Sequence, residues 1–108
     1  MTNQMQFRNA VVSHNGNGDN LVIAAVAGQV IKVWRCDITA GAAVSVTMKD
    51  GAGGTALSGA YNLPAAGAPL ALPYDGAPLW VTSPGNAFNM STSSGVLLTG
   101  NLAHTLGG

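Results

Sequence analysis

Two histidines, one cysteine and four aspartates are the side chains of this sequence best suited to acid, base, nucleophilic or metal chemistry; there is no glutamate. A serine triad needs a serine, a histidine and an acid brought together, and the chain has no Gly-x-Ser-x-Gly elbow to present the nucleophile. His14 adjoins the stretch Asn15-Gly-Asn-Gly-Asp-Asn, and His104 lies near the C-terminus. Both are expected to be solvated loop residues. The Asn15–Asn20 stretch has oxygen donors and one acid, Asp19, but a calcium loop needs more acids and a closing glutamate. It reads as an exposed turn. Asp50-Gly-Ala-Gly-Gly-Thr lacks the lysine of a phosphate loop and the helix that must follow a dinucleotide loop, so a hairpin turn is expected there. Cys36 shares its surroundings with Trp34 and Ile38, the setting of a buried, inert thiol. The sequence therefore predicts no catalytic, metal-binding or cofactor-binding residue.

Contact chemistry is better supplied. Tyr61, Tyr74 and Trp80 are candidates for a surface that stacks on sugars or anchors a protein interface, with burial in a small core as the alternative. Trp34, Phe7 and Phe88 are expected in the core. Met5 and Phe7 alternate with polar Gln4 and Gln6. The N-terminal segment is thus either an arm laid on a neighbouring subunit or an edge strand capping its own domain.

The rest of the chain must position these residues. Its 108 residues suffice for one domain. Only 7% are charged, four basic against four acidic, for a formal charge of zero, whereas about 25% is usual. No basic patch can neutralise a run of phosphates, so direct nucleic-acid binding is not expected. Weak self-repulsion suits a protein that assembles. A single cysteine leaves no internal disulfide, and the opening Met-Thr-Asn-Gln-Met-Gln-Phe-Arg has no apolar export region. No apolar run approaches the roughly 18 residues of a membrane span. The expectation is folding in a cytoplasm, with no membrane partner.

Glycine and proline interrupt the chain so often that from Gly41 to Gly100 no stretch much beyond about ten residues is free of both. Short strands at this spacing point to a sandwich or barrel. Val44, Val46 and Met48 alternate with Ser45, Thr47 and Lys49, and Phe88 and Met90 with Asn89 and Ser91. Leu70, Leu72 and Tyr74 form one expected face; Val96, Leu98 and Leu102 form another. Leu21–Ala27 is apolar on both faces, which predicts a central or covered strand. Gln29–Ala40 fits either period, but its Val, Ile, Thr and Trp content favours a strand, with Val30, Trp34, Cys36 and Ile38 on one face. The result is an all-β antiparallel domain of about eight short strands. Residues 1–17 form the arm or edge strand and 101–108 a tail.

Several stretches are also familiar in kind. Gly18-Asp-Asn-Leu-Val-Ile-Ala-Ala-Val-Ala-Gly leads into a second strand. Then follow Val44-Ser-Val-Thr-Met-Lys, Thr55-Ala-Leu-Ser-Gly, Leu70-Ala-Leu-Pro-Tyr and Gly85-Asn-Ala-Phe-Asn-Met-Ser-Thr. Over residues 18 to 100 this pattern resembles small virion structural proteins of tailed bacteriophages, of the head decoration (cement) type. The resemblance implies a jelly-roll-like β-sandwich on the capsid exterior, made in the host bacterial cytoplasm. Its partners would be the major capsid protein and other copies of itself, with a homotrimer matching the local symmetry of capsid lattices. It brings no catalytic residue. Met5, Phe7, Tyr61, Tyr74 and Trp80 are then the candidate subunit or capsid contacts. A tail or fibre component and a small glycan-binding sandwich are the alternatives. Cys36 and the ending Ala103-His-Thr-Leu-Gly-Gly depart from the resembled pattern.

Overall fold

The alternation at Val44–Asp50 becomes a strand in which Val44, Val46 and Met48 are buried while Ser45, Thr47 and Lys49 stay partly wet. The same period recurs through the computed structural model, which describes residues 6–64 and 69–107. In chain order the strands are β1 (Arg8–His14), β2 (Gly18–Ile23), β3 (Val30–Ala40), β4 (Val44–Asp50), β5 (Thr55–Ala56), β6 (Tyr61–Leu63), β7 (Leu70–Leu72), β8 (Trp80–Val81), β9 (Phe88–Thr92) and β10 (Leu98–Gly107). Among the described residues there is no helix.

The strands form two antiparallel sheets packed as a sandwich. In the first sheet the order is β1-β10-β3, with β7 and β8 sharing the far edge of β3. In the second it is β2-β9-β4, with β5 and β6 sharing the far edge of β4. The proline-flanked edge segments are two or three residues long because proline cannot donate to a ladder. Counting each broken edge as one position leaves eight positions, ordered 1-8-3-6 and 2-7-4-5. They are not uniformly short: β3 has 11 residues and β10 has 10.

Between the sheets, Ile31, Val33, Cys36 and Ile38 of β3 meet Met48 of β4 and Phe88 of β9. All six are essentially inaccessible to solvent. The tight centre requires Gly100: a Cβ there would lie 1.9 Å from the Asp37 carbonyl oxygen across the β10–β3 ladder. Asp50-Gly-Ala-Gly-Gly is the expected turn, joining β4 to β5 with Gly51 and Gly53 at positive φ.

Several sequence expectations are corrected. Residues 101–107 are not a tail but most of β10, which lies between β1 and β3. Its inward positions Leu102, His104 and Leu106 keep the period, with histidine in place of an apolar residue. Neither histidine is in a solvated loop: His14 closes β1, half-buried, and His104 is buried in β10. Within the expected turn Asn15–Asn20, residues from Gly18 onward already belong to β2. That strand is an edge rather than covered, so Leu21 is exposed, and Ala24–Ala27 lie outside the sheet. Of the two forms expected for the N-terminal segment, residues 8–14 take the edge strand, on the chain's own β10.

Candidate functional site

The face assignment of Trp34 is overturned by a β-bulge. Along β10, Ala103 pairs with Arg35 but His104 pairs with Val33, leaving Trp34 as the extra residue of β3. A bulge resets the alternation on one strand. Val33 and Cys36 therefore both enter the core, while Trp34 turns to the outer face of the first sheet and stands apart from the core cluster.

Two other aromatics cover it there. Phe7 lies edge-on to Trp34 at 6.0 Å between ring centroids and to Tyr74 at 5.7 Å. Tyr74 tilts against Trp34 at 5.8 Å. Tyr74 does not continue the inward face of Leu70 and Leu72: β7 ends at Leu72, and Tyr74 follows Pro73. The indole is only 7% exposed, but Phe7 and Tyr74 are half exposed. Phe7 is thus not a core residue. The three rings, with Arg35 and Ala103, line an apolar groove of about 280 Å³.

Polar groups fix its floor and rim. Trp34 Nε1 donates to Thr105 Oγ1 at 2.9 Å, which locks the indole. Arg35 pairs with Asp37 at 2.8 Å, both well exposed. Such a surface pair adds little stability, but it holds a guanidinium beside the rings.

The remaining contact candidates separate from this groove. Trp80 is buried, stacked on Phe88 at 5.8 Å, with Tyr61 edge-on at 6.2 Å. Tyr61 is itself packed against the core. These residues bridge the sheets from inside, so Trp80 presents no contact surface. Met5 lies outside the described residues. Sequence reading missed Trp34, Arg35 and Ala103 as groove residues, and no local motif marks the bulge that brings them together.

The chemistry-bearing residues are scattered. Among the described residues no three of His, Cys, Asp and Glu are grouped to hold a metal ion. Burial, reinforced by the Asp37 charge, pushes the Cys36 thiol up to about 12, so the thiolate nucleophile is scarce at neutral pH. Burial lowers the pKa of His14, whose two buried ring nitrogens have no hydrogen-bond partner among the described residues. Burial and then the Arg8 charge lower that of His104. At Asp50 burial opposes ionisation, but hydrogen bonds from Ser83 and Asn86 outweigh it and hold the carboxyl below its ordinary value. That carboxylate ties the 83–86 loop to the end of β4.

Fold and groove together define an all-β sandwich with an apolar aromatic groove on one outer face. Compared with known proteins, the chain matches no family model, no curated protein and no solved structure.

Proposed function

We propose that this protein is a tailed-phage virion structural protein of the head decoration type, which adheres to the outer capsid surface in many copies. The observation that carries the reading is the Phe7–Trp34–Tyr74 groove on the outer face of the first sheet, in a chain of which only 7% of residues are charged. Half-exposed aromatics over a locked indole are the kind of anchor that protein interfaces use. Two further features support it. One is the motif resemblance over residues 18 to 100. The other is the 1-8-3-6 and 2-7-4-5 strand order, which we read as a jelly roll, an architecture found in viral capsid and lectin domains.

The mechanism is passive. Each copy buries its groove against the major capsid protein or a neighbouring copy, and many equivalent contacts add up by avidity. No bond is made or broken, and no cofactor is required.

A second reading, glycan binding, is favoured by one feature: the Arg35–Asp37 pair beside the aromatic groove. Rings can stack on the apolar face of a sugar while the charged pair meets its hydroxyls. Mass spectrometry of purified particles tests the first reading: the chain is expected in near-stoichiometric ratio to the major capsid protein. Absence from particles together with specific signals on a glycan array would replace the first reading by the second.

A further inference from the structure

A sandwich has four sheet edges, and three of these are blunted. The β5–β6 edge is broken into segments of two and three residues and followed by Pro64; the β7–β8 edge is equally short and flanked by Pro69, Pro73 and Pro78. The β2 edge is bulged between Leu21 and Ile23 and carries Asp19. Short strands, prolines, bulges and charges are the usual protections against edge pairing. The fourth edge, β1, has none of these along its middle. It is seven residues long and pairs in unbroken register with β10; its one charge, Arg8, is at its first position. Among the described residues nothing pairs with its other side.

We propose that β1 is a homotypic pairing edge, on which β1 of a second copy adds antiparallel about a two-fold axis through Val11. The sequence Arg8-Asn-Ala-Val-Val-Ser-His14 is self-complementary in that register. Val11 meets Val11 of the second copy, Asn9 meets Ser13, Ala10 meets Val12, and Arg8 meets His14. The register covers Val11, which is 66% exposed, the highest value among the exposed large hydrophobic side chains of the described residues. It sets no like charges opposite each other. The two Arg8 residues lie at opposite ends of the ladder, roughly 20 Å apart at about 3.4 Å per residue, beyond the screening length of about 8–10 Å. Pairing through β1 joins copies two by two, so a three-fold association must use another surface, such as the aromatic groove. The inference does not depend on the virion reading.

An edge contact buries less than the roughly 1,200 Å² of a stable interface, which makes the isolated dimer weak, on the order of 100 µM, and dependent on avidity in an assembly. Sedimentation velocity from about 10 µM to about 1 mM is expected to show a monomer–dimer transition. Val11→Lys is expected to raise the dimer dissociation constant about tenfold or more without changing the melting temperature, because the side chain is solvent-exposed and acquires a like charge only across the dimer. Cross-linking reads the register. Val11→Cys is expected to give a disulfide-linked dimer on mild oxidation. Asn9→Cys alone is not, but mixed with Ser13→Cys it is. A monomer throughout the concentration range, no cross-link at Val11→Cys, or equal self-cross-linking of Asn9→Cys would each overturn the proposal.

Discussion

Phe7 and Tyr74 lie over Trp34 on the outer face, and removing Phe7 tests that geometry. In a Trp80→Phe background, Trp34 is the sole indole. Phe7→Ala then takes away one of its two aromatic covers. Phe7 is 49% exposed, so roughly half of a side chain that buries about 150–250 Å² when covered is at stake. At about 25 cal/mol/Å² this is about 2–3 kcal/mol, and it is an upper figure because the unfolded chain also buries some apolar surface. Two edge-on ring contacts are lost with it, while Tyr74 can settle further onto the indole. The net cost is about 1–2 kcal/mol, or a fall in melting temperature of about 4–8 °C. Indole fluorescence is the assay. The folded double variant is expected to emit to the red of Trp80→Phe alone and to be more readily quenched by acrylamide. An unchanged emission in a folded protein would return Trp34 to the space between the sheets and refute the bulge-based assignment.

Gly100→Ala is expected to cost about 3 kcal/mol or more in urea unfolding, because the added methyl meets the Asp37 carbonyl in the β10–β3 ladder. Gly107→Ala, whose Cβ meets nothing, is the control and is expected to change stability by under about 0.5 kcal/mol. Stability is expected to fall as pH drops below about 6.5, the ordinary histidine value. His14 and His104 have lowered pKa values in the fold, so the unfolded chain takes up protons first. Their contribution is complete above that pH and is lost toward their folded values. His104→Leu is expected to flatten the slope between pH 7 and 5 in equilibrium unfolding. Asp50 acts in a separate window: its lowered pKa gives stability that is present above about 3.9 and lost in stronger acid. Cys36 is expected to resist thiol reagents in the native protein and to react at the unfolding rate, since it is inaccessible and its thiol is pushed up to about 12.

Legibility in the sequence followed the local period. Val44–Lys49 alternates cleanly, and β4 lies where that alternation puts it. The run Gln29–Ala40 is a strand, as its β-branched content indicates. Its inward face was legible at Cys36 and Ile38 but not at Val30 and Trp34, because the bulge at Trp34 shifts the alternation on its N-terminal side by one residue, and a bulge is set by the partner strand. Apolarity misled at Leu21–Ala27: burial depends on how many strands flank a segment, and β2 has a single sheet neighbour. The opposite error hid the C-terminal part of β10, whose Asn101, His104 and Thr105 look like a polar tail although ladders on both sides bury much of the strand. The groove escaped for a related reason. Phe7, Trp34 and Tyr74 are far apart in the chain and meet only through the register of β3 and the turn after Pro73.

Electron cryomicroscopy of tailed-phage particles assembled in the presence of this chain tests the proposed virion role most directly. Repeated density for the sandwich is expected on the outside of the capsid shell, with the Phe7–Trp34–Tyr74 face turned toward the major capsid protein or a neighbouring copy. Particles bare of the sandwich, or density confined to the tail, would contradict it.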